Sequence, residues 1–220
     1  MIGLSNPIAR PADRAARVPL GRAMPSRIAS VVLLVLSLPL WIVAAAVVWL
    51  SVGRPLFFRQ TRSGLGTRPF VICKFRTMHE RRDADGALLP DALRETSATR
   101  LMRAIRIDEL PQLLSIATGD MAFIGPRPLL PATVAEFGEL GRIRSTVRPG
   151  LSGWAQVNGN TRLTNNEKLA LDLWYVRNRS LWLDLQILVL TVLVALLGEH
   201  VDRRHVDHAL KAMPAGTVRS

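Results

Sequence analysis

Cysteine is nearly absent from this chain. Cys73 stands alone among 220 residues, so no internal disulfide can form, a disulfide scaffold is excluded, and a reducing, cytoplasm-facing compartment fits. Lysine is almost as scarce: Lys74, Lys168 and Lys211 are the only three, although basic residues outnumber acidic ones 29 to 17 and the net charge is +12. Nearly all the positive charge is therefore arginine, whose planar fork matches phosphate oxygens. Those phosphates could belong to nucleic acid, phospholipid or a nucleotide substrate. Aromatic residues make up only 5% of the chain, so the stacking platform that single-stranded nucleic acid requires is not expected. Internal repeats and low-complexity segments are missing too. What is plentiful is hydrophobicity, at 49% of residues with a mean hydropathy of +0.20. That places part of the chain in lipid, and the length suits one domain with an appendage.

Ile28 to Leu50 contains no charged residue, and as a helix these 23 positions would extend ~34 Å, enough to cross a bilayer. No small-residue cleavage site follows, so a removed signal peptide is not expected. Ser37 and Pro39 fall near the midpoint, where a proline removes one backbone hydrogen bond and bends the helix. Arginines flank both ends: Arg10, Arg14, Arg17, Arg22 and Arg27 before, Arg54, Arg59, Arg62 and Arg68 after. Since positive flanks favour the cytoplasmic side, the pattern predicts a re-entrant helix-break-helix that enters and leaves by one face. A kinked single span is the alternative. A second apolar run, Leu181 to Leu197, is interrupted by Asp184 and Gln186 and predicts an interfacial or core helix.

The rest predicts a compact, mainly α domain with a few short strands, an α+β arrangement. Phe70 to Phe75 and Leu56 to Phe58 have strand composition. Arg81 to Asp91, with its Asp85-Gly86 turn, is a solvated loop that could lie over the site. Helical periodicity marks 94–106, 109–118 ended by Gly119, 133–144 and 167–177. The boundaries drawn are a basic tail over 1–27, the re-entrant helix over 28–50, a catalytic domain over 51–198 and a C-terminal tail over 199–220.

Chemistry concentrates at the adjacent acids Asp108 and Glu109. Neighbouring helical positions point about 100° apart, so the two carboxylates have different roles. Pro111 suits a helix's first turn, which makes Asp108 an N-cap held ionised by amide donors. Such an aspartate could attack phosphorus while Glu109 holds a divalent metal; taken alone, a helix cap and a surface acid describe the pair better. Gly125-Pro126-Arg127-Pro128 presents one guanidinium on a rigid turn, as a phosphate clamp requires. Lys74-Phe75-Arg76-Thr77 offers two cations and a hydroxyl after a strand, and Arg148-Pro149-Gly150 opens a glycine-rich stretch reaching Gln156. His200, His205 and His208 lie in a charged tail without cysteines and are not read as a metal site.

Together these segments resemble the bacterial sugar transferases, the monotopic phosphoglycosyl transferases in their small single-domain form. Seven markers stand in order between about Ile28 and Leu197: the hydrophobic segment with central Ser and Pro; Gly53-Arg54-Pro55 followed by Phe57-Phe58-Arg59-Gln60; Lys74-Phe75-Arg76-Thr77-Met78; Asp108-Glu109-Leu110-Pro111-Gln112; Gly119-Asp120-Met121; Gly125-Pro126-Arg127-Pro128; and Arg148 through Gly159. The resemblance implies a re-entrant membrane helix broken at Ser37 and Pro39, a bacterial inner-membrane location and an active site facing the cytoplasm. It also implies transfer of a sugar phosphate from a UDP-sugar to a polyprenyl phosphate such as undecaprenyl phosphate, with Mg²⁺ as cofactor. Asp108 would be the nucleophile that forms a covalent phosphosugar intermediate, and Glu109 the metal ligand. Lys74, Arg76, Arg103, Arg127, Arg148 and Gln156 would hold phosphate or nucleotide. Membrane lipid is an expected partner and nucleic acid is not; the sequence leaves a homo-oligomer open, along with the sugar and the pathway.

Several positions depart from that pattern. Leu38 separates Ser37 from Pro39, which are usually adjacent; Ser115, Ala122 and Cys73 stand where asparagine, serine and tyrosine are common; and Asn160 and Asn165 replace an expected arginine and tryptophan near the presumed donor site. Asp172 and Asp184 match family positions and are expected to be structural. The competing class is a non-catalytic, membrane-tethered, arginine-rich binder of nucleic acid or anionic lipid, for which Asp108→Asn would leave function intact.

Overall fold

A computed structural model describes residues 20–213. Most of the sequence assigned to a basic N-terminal tail lies outside them. The architecture is mostly helical with short strands, as expected.

Helix α1 (Leu20–Leu36) and helix α2 (Leu38–Ser51) meet at a 60° bend. Ser37 sits in the bend and donates its hydroxyl to the Leu34 carbonyl at 3.0 Å, while Trp41 Nε1 donates back to Ser37 Oγ at 3.3 Å. Pro39, in the first turn of α2, has no N–H to continue the ladder. Among the described residues no single helix is long and apolar enough to cross a membrane, but this bent pair passes by length and composition. One stripe of α2, Ala44 and Val48, is buried with Phe75 and Met102, and Leu34 of α1 packs with Ile72, Leu113, Ile116 and Met121. The remaining faces leave large apolar side chains exposed, Leu36, Ile42 and Leu50 among them.

Strands β1 (Phe57–Ser63) and β2 (Pro69–Phe75) form an antiparallel hairpin in the register Phe57 to Phe75. The first strand runs further than the expected Leu56 to Phe58. Stacking of Phe57 on Phe75 at 5.1 Å and the edge of Trp41 on Phe75 at 5.6 Å tie this hairpin to α2. Short helices α3 (Asp91–Arg94) and α4 (Ser97–Ala104) follow, the latter started by a Thr96–Thr99 capping box. A 3-10 helix, Ile107–Gln112, continues into helix α5 (Leu113–Thr118), which Gly119 ends at φ +91°. The single helix expected over 109–118 is thus two, because Pro111 sits inside the first of them and cannot donate to an α-helical ladder.

Strand β3 (Ala122–Ile124) leads to helices α6 (Pro131–Glu136) and α7 (Gly138–Arg144). These replace the one helix expected over 133–144, since Gly138 has φ +55° and breaks the ladder. Strand β4 (Gly150–Ser152) pairs in parallel with β3, and so joins two motifs far apart in sequence. A Cβ on Gly150 would overlap the backbone nitrogen of Gly125, and one on Gly153 the Gly125 carbonyl oxygen; only glycine permits that approach. Helices α8 (Trp154–Val157), α9 (Asn165–Asn178) and α10 (Leu181–Leu197) complete the domain. A Thr164–Glu167 capping box starts α9, and Ser180 caps α10.

The segment expected to be a C-terminal tail contains helix α11 (Arg203–Lys211), capped by Asp202. Val206 and Ala209 are fully buried in the main cluster with Tyr175, Leu171 and Trp154. His205 bonds to Asn158 Oδ1 at 2.8 Å and lies against Trp154 with ring centres 4.7 Å apart. Two hydrophobic positions three residues apart inside a charged stretch were the available signal for this amphipathic helix. Val206→Asp places an unpaired charge in that core and is expected to cost about 3 kcal/mol or more, readable as a lower unfolding temperature in detergent; an unchanged temperature would show that α11 does not support the fold.

Candidate active site

The acid pair lies on the 3-10 helix between β2 and α5, lining a cavity of about 660 Å³. Asp108 is not an N-cap. Arg106 occupies that position in a left-handed conformation, φ 57°, and Asp108 lies inside the helix, buried. Its carboxylate makes no hydrogen bond or ion pair with any other described residue. Burial, reinforced by the neighbouring Glu109, pushes its pKa up to about 6, against the pull of Lys74, Arg103 and Arg127. The expectation of a carboxylate held ionised by amides therefore gives way to a desolvated one held by distributed cations.

Glu109 is arranged differently. Arg127 Nη2 donates to its Oε1 at 3.0 Å and Arg106 Nη1 to its Oε2 at 3.2 Å. Burial works to raise its pKa, but these two guanidinium groups outweigh it and hold the carboxyl below the usual range. Two adjacent acids thus sit in opposite states, one poised and one firmly ionised, a separation typical of groups with distinct chemical roles.

Lys74 projects from β2 beside Phe58, with Nζ 5.4 Å from the ring centre. Burial lowers its pKa first, while Asp108 raises it. Arg103, on α4, lines the same cavity and is paired with Glu95 at 2.8 Å. Arg127 rides on the turn after β3, supported from behind: Arg144 donates through Nη2 to the Arg127 carbonyl and through Nε to Asp172 Oδ2 at 2.7 Å. Asp172 is accordingly structural, as is Asp184, which accepts from the Tyr175 hydroxyl at 2.7 Å. Gln156, buried on α8, also lines the cavity.

Two other residues expected to bind phosphate are placed elsewhere. Arg76 donates to the carbonyls of Val52 at 2.9 Å and Arg54 at 2.7 Å, tethering β2 to the end of α2. Arg148 donates to the Gly119 carbonyl at 2.9 Å and lines a second cavity of about 510 Å³ with Arg68 and Asp120. Neither lines the cavity of the acid pair, nor do residues 81–91. Arg106, Arg144 and Glu199 do line it, and of these only Arg106, three residues before Glu109, carries a local signal in the sequence.

Chemically, the cavity brings an unpaired buried carboxylate, a second ionised carboxylate and several cations to one place, a set suited to a polyphosphate reacting at phosphorus. No group of three or more His, Cys, Asp or Glu that could hold a metal occurs among the described residues. Magnesium, however, binds through one or two carboxylates plus substrate phosphates. The open carboxylate of Asp108 and the spare lone pairs of Glu109 beside its two arginine bonds fit that requirement.

Residues 20–198 match the family model described as bacterial sugar transferase. The chain is 46% identical to the uncharacterized sugar transferase EpsL of Bacillus subtilis, over 80% of this chain and 87% of that one. It is 41% identical to a UDP-glucose:undecaprenyl-phosphate glucose-1-phosphate transferase of Caulobacter vibrioides, over 75% of this chain but 66% of that protein. A UDP-N-acetylgalactosamine-undecaprenyl-phosphate N-acetylgalactosaminephosphotransferase of Aeromonas hydrophila is 37% identical over 78% of this chain and 42% of its own length. The chain thus spans most of EpsL, about two thirds of the Caulobacter transferase and less than half of the Aeromonas one. With the match covering nearly all the described residues, the chain belongs to the bacterial sugar transferase family of enzymes.

Proposed function

We propose that this protein transfers a sugar 1-phosphate from a UDP-sugar to undecaprenyl phosphate, or a related polyprenyl phosphate, releasing UMP and starting the assembly of a bacterial glycan. The observation that carries this reading is the buried, unpaired carboxylate of Asp108, set among Lys74, Arg103 and Arg127. Support comes from the relatives, whose names specify UDP-sugar donors and undecaprenyl-phosphate acceptors.

In this reading an Asp108 oxygen attacks the β-phosphorus of the donor. The bond from that phosphorus to the oxygen bridging the two phosphates breaks, and nucleoside monophosphate leaves with the bond's electron pair. A phosphate oxygen of the lipid then attacks the same phosphorus, and the Asp108 carboxylate is regenerated. Lys74 and Arg127 neutralise the charge that gathers on the phosphoryl oxygens. Arg127 can do so without rearrangement, because Arg144 fixes its carbonyl and Glu109 its guanidinium. Mg²⁺ held by Asp108 and Glu109 would add charge neutralisation at the diphosphate.

The acceptor's phosphate floats at a membrane surface, and the exposed apolar faces supply a way to reach it. The bent pair α1–α2 would enter one leaflet and return, with Ser37 and Pro39 at its turn. Along α10, Leu181, Trp182, Leu188, Val192 and Leu196 are exposed, as an interfacial helix requires. With the flanking arginines on the cytoplasmic side, the cavity faces the cytoplasm of the bacterial inner membrane.

The test is UMP release by the detergent-solubilised or nanodisc-embedded protein given Mg²⁺, undecaprenyl phosphate and a panel of UDP-sugars. UMP with at least one sugar supports the reading; none with any donor in the panel sinks it. A second expectation concerns protonation. In metal-free protein carrying ¹³C-labelled aspartate, one carboxyl resonance should titrate near pH 6 and be lost in Asp108→Asn. The carboxylate form is the nucleophile, so in the metal-free protein the reactive fraction of Asp108 falls as pH drops below that value. A resonance assigned to Asp108 that titrates at its ordinary value near 3.8 would contradict the desolvated geometry.

A further inference from the structure

Glu199 is the first residue beyond the segment matched by the family model, yet it lines the cavity of the acid pair. Its carboxylate is fixed from three donors: Asn160 Nδ2 to Oε1 at 2.5 Å, and the Thr161 hydroxyl at 2.5 Å and backbone N–H at 3.2 Å to Oε2. Asn160 adopts a left-handed φ of 42°, a conformation that costs a non-glycine residue and persists where the surroundings over-determine it. The chain after Glu199 is anchored as well, by Asp202 capping α11, by buried Val206 and by the His205–Asn158 bond. Arg106, bonded to Glu109, lies close enough to Glu199 to help stabilise its negative charge, which places both acids within the field of one guanidinium.

A carboxylate accepts about four hydrogen bonds, and three here are used. The phosphates of a donor belong at Lys74, Arg103 and Arg127, near Asp108. Asn160, Thr161, Asn165 and Glu199 supply a wall of neutral and acidic character, while Lys168 acts on the buried Asp172. Such a wall accepts hydrogen bonds from hydroxyl groups and repels a second carboxylate.

Resting on the transferase reading above, we propose that Glu199, held in place by Asn160 and Thr161, reads the hydroxyl groups of the donor's uncharged polyhydroxylated ring and selects against donors whose sugar is a uronate. The same chemistry is offered by the sugar and by the ribose of the nucleotide, and the two separate in a binding experiment. Titrate the full-length detergent-solubilised protein calorimetrically with UDP, with the UDP-sugar that gives UMP, and with UDP-glucuronate, using wild type, Glu199→Gln and Asn160→Ala. For the sugar ring, Glu199→Gln weakens the UDP-sugar about tenfold, leaves UDP unchanged and narrows discrimination against UDP-glucuronate about tenfold. For ribose, UDP and UDP-sugar weaken together by about that factor. The first result supports the assignment; the second moves Glu199 to the ribose of the nucleotide and overturns the selection against a uronate. A folded Glu199→Gln that binds both as wild type does overturns it. Should Glu199→Gln fail to fold, Asn160→Ala, which loosens the carboxylate, decides: unchanged affinities overturn the assignment and weakened ones support it. Wild-type protein that binds no UDP-sugar at all overturns the transferase reading, and this assignment with it.

Discussion

Asp108→Asn is expected to abolish UMP release, by at least ~10³-fold, in a protein that remains folded. The substitution keeps the shape of the side chain and removes its charge and nucleophilicity. Stability should be little affected, since the carboxylate has no hydrogen-bond partner among the described residues and is already pushed up to about 6 by burial and by Glu109. Removing a desolvated charge that nothing bonds relieves a cost and forfeits no contact. Glu109→Gln should behave differently, because two guanidinium groups lose the charge that holds them. Retention of more than a tenth of wild-type turnover by Asp108→Asn would exclude it as nucleophile and favour direct attack by the lipid phosphate.

Asp172→Leu should destabilise the protein by about 3–5 kcal/mol, because it strands the buried Arg144 guanidinium without its partner. For a chain of this size that is a drop of very roughly 10 °C in unfolding temperature. Replacing both members, with Arg144→Met added, should recover most of the stability, as well-packed apolar pairs often do. Activity should not recover with it. Arg144 also supports the Arg127 carbonyl, so the double variant should stay at least ~10-fold slow, a clamp loosened behind the reacting phosphate. If Asp172→Leu costs less than about 1 kcal/mol, or if the double variant regains both stability and turnover, the relay from Asp172 through Arg144 to Arg127 is not what positions the guanidinium.

The parts of this molecule that sequence pattern made legible are those governed by local rules. Ser37 and Pro39 marked the bend and Gly119 the end of α5; that Asp108, Glu109, Arg127 and Lys74 share a cavity was implied only by the family resemblance of the whole set of motifs. The misplacements share one cause, which is that long-range pairing decides where a motif's side chains go. Arg148 belongs to the same motif as Gly150, but the parallel contact of β4 with β3 faces Gly150 toward Gly125 while Arg148 reaches the Gly119 carbonyl, away from the acids. Arg76 follows Lys74 by two residues and still turns to the end of α2, where two carbonyls need a donor. Arginine abundance likewise suggested a phosphate surface, whereas Arg76, Arg144 and Arg106 are engaged in internal contacts. The C-terminal helix has a short apolar side and a long charged one, so its sequence reads as a solvated tail; its place is set by Trp154 and Tyr175, some thirty or more residues away.

The most direct test of the account is a single turnover without acceptor. Wild-type protein mixed with Mg²⁺ and the preferred UDP-sugar, but no polyprenyl phosphate, should release UMP up to one equivalent and gain the mass of a sugar phosphate, mapped by peptide mass spectrometry to Asp108 and discharged on adding the lipid. UMP release that waits for the lipid phosphate, with no adduct on Asp108 at any time, would contradict it.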